Sequence, residues 1–308
     1  MKQQRNKLII ILGPTAVGKT DYAIEQALKI GSPILNCDSR QIYSQLQIGT
    51  AVPSEQQLRQ VKHYFIQTHS ITEHYTAGKY ELEALALLEN LFKEQNEVIM
   101  CGGSGLYIDA VCNGLDAFPE PDLQLRSELN RTLEQEGIES LRYQLKKLDQ
   151  VSYEAIDIAN PQRVIRALEV CLQTGRKFSD WKSSKDGEGA GALAGKSRNF
   201  EIEKIGLTME REQLYNRINQ RVDKMMQEGL LEEVRGLNHF RYKDGIFSPS
   251  LNHIPALRTV GYRELFDYID GRLTLEEAIE RIKMNTRRYA KRQLSYWGRD
   301  KSIKWIKL

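Results

Sequence analysis

The sequence predicts an α/β protein, a parallel-sheet core carrying a phosphate-binding loop and interrupted by a helical insertion. Three observations predict it. A short, wholly apolar run from Lys7 to Leu12 ends at Gly13, as a strand buried on both faces of a parallel sheet does. Strand-like and helix-like segments then alternate as far as Gly105, the pattern of a parallel sheet. From Asp122 to Thr174 only helical periodicity remains, and strand character returns at Glu201 to Leu207.

The elements follow in order. Asp21 to Ile30 has helical spacing, and Ser32-Pro33 introduces a second strand over Ile34 to Cys37. Tyr80 to Phe92 is expected to be helical, with Leu82, Leu85, Leu88 and Phe92 along one stripe. Glu97 to Cys101 is a third strand, followed by the glycine-rich turn Gly102-Gly103-Ser104-Gly105 and another helix. The pattern changes near Phe118-Pro119-Glu120-Pro121, so the core is assigned to 1–117 and 201–308 and the insertion to 118–200. Ser183 to Ser197 is Gly- and Ser-rich and reads as a mobile loop. A long helix begins after Thr274, a capping residue with Glu277 three positions on. Ile282, Tyr289, Ala290, Leu294 and Trp297 can line one of its faces. Ile303 to Ile306 is a closing strand.

Composition excludes several classes. With 308 residues, 41% hydrophobic and 28% charged, the chain is an ordinary globular protein with room for one large domain plus an insertion. It lacks the apolar run of about 18 residues that a transmembrane helix needs, and Leu8 to Leu12 is too short for a secretory signal. Cys37, Cys101, Cys112 and Cys171 show no C-x-x-C spacing, which argues against a zinc ribbon or disulfide framework and for a reducing, cytoplasmic setting. The net charge of +3 is unevenly distributed. Gly271 to Leu308 holds 11 Lys or Arg against 4 Asp or Glu, so this segment carries +7 and the rest −4. A basic terminal block suits a polyanionic partner, although charge runs are commonly just solvated faces.

The chemistry-bearing motif is Gly13-Pro14-Thr15-Ala16-Val17-Gly18-Lys19-Thr20, which matches G-x-x-x-x-G-K-[ST] between a buried strand and a helix. Such a P-loop aims backbone N–H groups at phosphate oxygens at the positive end of a helix. Lys19 adds a point charge, and the Thr20 hydroxyl can complete a Mg²⁺ shell. Ligands of open parallel sheets bind beyond the carboxyl ends of the strands. Asp38-Ser39-Arg40-Gln41 and Gly102 to Gly105 leave those ends beside the P-loop. The Asp38 carboxylate there can be a metal ligand, a general base or a simple strand-end cap. Arg163 and Arg166 share a helix face, and Arg217 and Arg221 share another; solvated arginines would show the same spacing.

Taken together, these motifs resemble the bacterial tRNA dimethylallyltransferases (tRNA isopentenyltransferases). The resemblance runs from Gly13 to Trp305 and rests on GPTAVGKT at 13–20, DSRQIY at 38–43, IGTAVP at 48–53 and GGSGLY at 102–107. It continues through PQRVIRALEV at 161–170, RINQRVDKMMQEGLLEEV at 217–234, VGYRE at 260–264 and TRRYAKRQLSYW at 286–297. It implies a P-loop NTPase-like core with a helical insertion, and transfer of a dimethylallyl group from its diphosphate to N6 of adenine 37 in the tRNA anticodon stem-loop. Asp38 matches the family's general base and Arg221 an arginine associated with the diphosphate donor. Gly13 to Thr20 would hold that donor, with Mg²⁺ on Thr20. Asp38 to Gln41, Ser104, Arg126 and Gln162-Arg163-Val164-Ile165-Arg166 match segments that contact tRNA. The resemblance further implies a cytoplasmic protein, expected to be a monomer. Ser104 stands where the family usually has Thr, Gln67 where Asp is frequent, and Ala159-Asn160 where Asn-Asp is common. A P-loop kinase or NTPase, and a non-catalytic tRNA-binding protein, are the rival readings.

Overall fold

The computed structural model describes residues 5–116, 118–181, 198–243, 246–247, 251 and 254–308. The expected loop at 183–197 lies outside the described residues. Contacts divide the chain into two compact units, Met1–Cys112 with Arg198–Leu308, and Asn113–Ser197.

The first unit is built on β1 (Lys7–Leu12), α1 (Lys19–Ile30), β2 (Ile34–Asn36), α2 (Glu55–Gln60), β3 (His63–Tyr64), α3 (Ala77–Leu91), β4 (Glu97–Cys101) and α4 (Gly105–Asn113). The sheet is six-stranded and parallel throughout, and β1, β4 and β2 are neighbours in it. Ile10 and Leu35 both pair with Met100, so the three strands end on one side within a residue or two of each other. The alternating burial of a two-sided sheet is absent because helices cover both faces; Leu8, Ile10, Ile11 and Leu12 are all fully buried. One apolar cluster joins β1, β2 and β4 to α3 and α4 through Tyr80, Leu88, Tyr107 and Ile108. α3 differs from expectation. Leu82 is 63% exposed, and the buried stripe runs through Tyr80, Ala84, Leu88 and Leu91, because the helix starts at Ala77 and its inner face is set by Tyr80.

The second unit contains α5 (Leu123–Glu136), α6 (Ile138–Leu148), α7 (Gln150–Ala155) and α8 (Pro161–Thr174). Capping explains the breaks. The Asp122 and Asn160 side chains accept two backbone N–H bonds each at the starts of α5 and α8, and Pro161 occupies the first turn of α8. Leu129, Leu141, Leu145, Val164 and Leu168 form its core. Asp149 is fully buried at the start of α7, where its carboxylate accepts from Ser152 N (3.0 Å) and Oγ (2.5 Å) and from Ser179 N (2.8 Å) and Oγ (3.0 Å).

The chain then completes the first unit with β5 (Glu201–Thr208), α9 (Arg211–Gln227), α10 (Leu230–Gly236), the antiparallel pair β6 (Tyr242–Lys243) and β7 (Ile246–Phe247), α11 (Tyr262–Ile269), α12 (Leu275–Trp297) and β8 (Ile303–Lys307). β5 pairs with β1, and β8 with β5. α12 opens with the full capping box of Thr274 and Glu277. Its buried stripe is Ala278, Ile282, Ala290, Gln293 and Trp297; Tyr289 and Leu294, expected on that face, are only partly buried. Glu233 of α10 accepts from Gln47 N, Ile48 N and Gly49 N and from Tyr262 Oη (2.5 Å), pinning the 47–49 turn against α11. Gly49 is required there, because a Cβ would stand 2.5 Å from the Tyr262 ring.

Burial pushes the Asp149 carboxyl up, but the donors from Ser152 and Ser179 outweigh it and hold it below its ordinary value. A carboxylate depressed in this way adds stability above its unfolded pKa, and that stability is lost as pH falls through the lower folded value. Asp149→Ala is expected to destabilise the second unit by about 2–4 kcal/mol, because four donors lose a charged acceptor. Urea unfolding of wild type and variant at neutral and acid pH checks both: the gap should be full at pH 7 and shrink in acid.

Candidate active site

The P-loop links β1 to α1 and takes its shape from three left-handed residues, Gly13 (φ 151°), Ala16 (φ 65°) and Gly18 (φ 109°). A Cβ on Gly13 would meet the Leu207 carbonyl at 2.6 Å, so only glycine lets β5 pass so close. Ala16 is the strained member, a non-glycine in the left-handed region at a ligand-type turn. Val17 is buried and anchors the loop to the apolar cluster on the α1 face of the sheet. Gly18 caps α1 without a side chain, leaving the helix's first amides to be met from outside. Lys19 Nζ donates to the Pro14 carbonyl at 2.8 Å. Thr20 sits in the first turn of the same helix.

Asp38 lies just past the end of β2. Its Oδ1 accepts from Arg40 N (2.9 Å) and Gln41 N (3.4 Å), an Asx turn that fixes the carboxylate. Asn36, held through its backbone carbonyl by Tyr80 Oη, accepts from Asp38 N at 3.3 Å. Ser104 Oγ accepts from Ser39 N (2.9 Å) and hydrogen-bonds Ser39 Oγ (3.0 Å), tying the glycine-rich turn to the acidic one. Thus the three turns at the ends of β1, β2 and β4 form one polar cleft. Lys19 and Arg221 both feel the Asp38 charge there, and Arg217 adds to it from the same helix as Arg221.

Desolvation brings the Lys19 ammonium down to about 8; Cys101 and Asp38 work against the fall and Arg221 with it. Burial also lowers Arg221, opposed by Asp38 and assisted by Arg217, though a guanidinium stays charged. Burial pushes the Cys101 thiol up to about 12 and Cys37 well above its usual value, so neither is a thiolate nucleophile. Dense positive charge around a single carboxylate is what a multiply charged anion binds to.

Other expected residues fall differently. The Gln41 side-chain nitrogen donates to Thr50 and Ala51 carbonyls (3.0 and 2.9 Å), so its donors are used inside the fold. Within the segment 162–166, Val164 and Ile165 have their side chains packed in the core of the second unit. Their neighbours Gln162 and Arg163 lie on the outer side of the helix and are exposed. Arg126 and Arg166 both bind Oε2 of the fully buried Glu169, at 2.6 and 2.9 Å, and Arg166 also donates to the Pro119 carbonyl. Their first task is to neutralise that buried charge. With Asn160, Gln162, Arg163 and Phe178, Arg166 lines a pocket of this unit. Asn160, the departure before Pro161, serves as the α8 cap; Gln67 adopts a left-handed conformation (φ 52°) where a frequent Asp is easily accommodated. In the basic block, Lys283 pairs with Asp223 and Glu280, Arg287 with Asn219, Lys304 with Glu203 and Lys307 with Glu210. Lys283 is therefore neutralised within the fold, whereas Lys304 and Lys307 pair at the surface.

Gln293 was not foreseen. It is buried on α12, and its Oε1 accepts from Thr15 N at 2.8 Å while its Nε2 donates to the Gly103 carbonyl at 2.9 Å. A polar residue on the apolar stripe between Ala290 and Trp297 was the available signal.

A family model described as IPP transferase matches residues 41–300, a span that begins after the P-loop and Asp38. The chain belongs to this family. It is 46% identical over 299 residues to tRNA dimethylallyltransferase 2 of Azobacteroides pseudotrichonymphae, covering 97% of this chain and 91% of the relative. It is 47% identical over 305 residues to tRNA dimethylallyltransferase of Flavobacterium johnsoniae, covering 97% and 92%. Among solved structures it resembles the full-length tRNA isopentenylpyrophosphate transferase of Bacillus halodurans (33% identity, TM-score 0.67, 98% and 90% covered). It also resembles a eukaryotic dimethylallyltransferase acting on tRNA (25% identity, TM-score 0.76, 98% and 74% covered). The chain is thus a prenyltransferase-type enzyme with the P-loop NTPase-like fold of these proteins. Among the described residues no helix is long and apolar enough to cross a membrane.

Because burial brings Lys19 down to about 8, its attraction for an anion is full below that pH and fades above it. Diphosphate affinity, measured by calorimetry across pH 7 to 10, should weaken by up to about tenfold per unit above pH 8, the limit for one proton. Lys19→Arg keeps its charge over that range, so its profile should be flat if Lys19 is the group responsible.

Proposed function

We propose that the chain transfers a dimethylallyl group from dimethylallyl diphosphate to N6 of adenine 37 in tRNA, giving N6-(dimethylallyl)adenosine. The observation that carries the reading is the placement of the Asp38 carboxylate, fixed by its Asx turn, in one cleft with Lys19, Arg221 and the P-loop.

Each part then has a task. The target base leaves the stacked anticodon loop and enters the cleft. Its N6 attacks the allylic carbon, a C–N bond forms, and the C–O bond to diphosphate breaks. Asp38 accepts the N6 proton. The P-loop amides, Lys19 and Arg221 take up the charge that grows on the departing diphosphate. Enclosure keeps water from the allylic carbon, which would otherwise hydrolyse. The donor set fits Mg²⁺: the Thr20 hydroxyl is a hard oxygen ligand, and among the described residues no group of three His, Cys, Asp or Glu forms an all-protein cage. Mg²⁺ commonly binds through few protein groups plus substrate phosphates, and it would supply charge neutralisation of the diphosphate. Ser39, Arg40 and Ser104 on the acceptor side, and Gln162 and Arg163 on the second unit, are the proposed tRNA contacts. Arg126 and Arg166 reach RNA only with the charge left over from Glu169. The protein acts in the cytoplasm as a monomer.

The P-loop here holds the prenyl diphosphate, so nucleotide competes for the loop and is never consumed. Incubation of the full chain with dimethylallyl diphosphate, Mg²⁺ and unmodified tRNA, followed by nucleoside mass spectrometry, should show the prenylated adenosine without added ATP. An obligatory ATP requirement, or ADP release without modified tRNA, would overturn the reading in favour of a kinase or NTPase. Asp38→Asn should lower turnover by about 10²-fold or more while tRNA binding stays within several-fold, the usual scale for a general base.

A further inference from the structure

We propose that Gln293 is a positioning residue that sets the distance between donor and acceptor, an inference resting on the prenyl-transfer reading above. The side chain is 6% exposed and bridges two turns that serve different substrates. On the donor side it accepts from Thr15 N, the third residue of the P-loop, at 2.8 Å. On the acceptor side it donates to the Gly103 carbonyl at 2.9 Å. From Gly103 the connection continues through Ser104 to Ser39, and Asp38 is next in the chain.

The glycines of the 102–105 turn are shaped to this contact. A Cβ on Gly103 would stand 2.5 Å from Gln293 Nε2, and a Cβ on Gly105 2.4 Å from the ring of Tyr296, three residues along α12. α12 therefore lies against the turn at two consecutive points, one polar and one aromatic. A space-filling role would be met by any long side chain. The amide instead satisfies a partly buried donor and a buried acceptor at once, which ties the P-loop to the turn that carries Ser104. Displacement at an allylic carbon needs the attacking nitrogen close to the carbon and in line with the leaving oxygen, so a shift of about 1 Å between the two turns costs rate rather than binding.

Gln293→Met keeps length and burial and removes both hydrogen bonds. The test measures kcat, the KM for each substrate, donor affinity without tRNA and tRNA affinity without donor. The expected result is a kcat lower by about 10- to 100-fold, the cost of misplaced reacting groups, with each separate affinity within about threefold. Combined with Ser104→Ala, it should lower kcat by less than the product of the two single losses, because both interrupt the same connection. Gly103→Ala provides a second route: its Cβ would push the Gln293 amide aside while making only ordinary contact, 3.9 Å, with Asp38 Oδ2. It should reproduce the kcat loss with Gln293 intact, and it decides the matter if the first variant does not fold. A wild-type kcat in either folded variant, or a loss confined to donor affinity, overturns the positioning role. Absence of transfer by the wild-type chain overturns the functional reading instead.

Discussion

The active cleft depends on the parallel pairing of β2, β4 and β1. Because the strands run the same way and stay in register, their three following turns must emerge side by side. Hydrogen bonding of the sheet thereby brings a phosphate cradle, a carboxylate and a serine-bearing turn together before any side chain of the site is chosen. The glycines are the consequence of that crowding. Gly13 faces the Leu207 carbonyl and Gly102 the backbone of Cys37, each at 2.6 Å from where a Cβ would be. With a side chain at either position, the turns would have to part and the cleft would open.

Charge in the cleft is arranged for an anion that arrives from outside. Lys19 is partly desolvated and donates to a backbone carbonyl, while Arg217 stands close enough to Arg221 to help lower it. Such an arrangement is unfavourable on its own and would be relieved by a bound anion. The second unit solves the opposite problem. Glu169 is buried as a charge, and two arginines surrender part of their freedom to compensate it. The same residue type is thus left facing like charge in one unit and serves as an internal counter-ion in the other.

The strands at 7–12 and 97–101, the P-loop and the capped start of α12 were legible because each has a local cause: an apolar run, a glycine pattern, a capping box. The inner face of α3 was not, since Leu82 and Tyr80 are both plausible core residues and only packing against Tyr107 and Asn36 decides between them. The burial of Val164 and Ile165 was not legible for a related reason. A motif locates a segment, and helical rotation decides which of its residues face outward. Gln293 escaped because its two partners are 278 and 190 residues away in sequence, a relation that no local pattern encodes.

The division of the chain has a consequence for how the molecule comes to be folded. β1 pairs on one side with β5, so Lys7 must wait for Glu201, and β8 joins the sheet only from the last residues of the chain. The helices α5 to α8 find their partners within their own segment. During synthesis the inserted helices can therefore complete their packing while the sheet still lacks β5 and β8. Until those arrive, β1 carries an unpaired edge that is apolar from Leu8 to Leu12, which makes the nascent core the aggregation-prone part of this protein and the place where a chaperone has most to do.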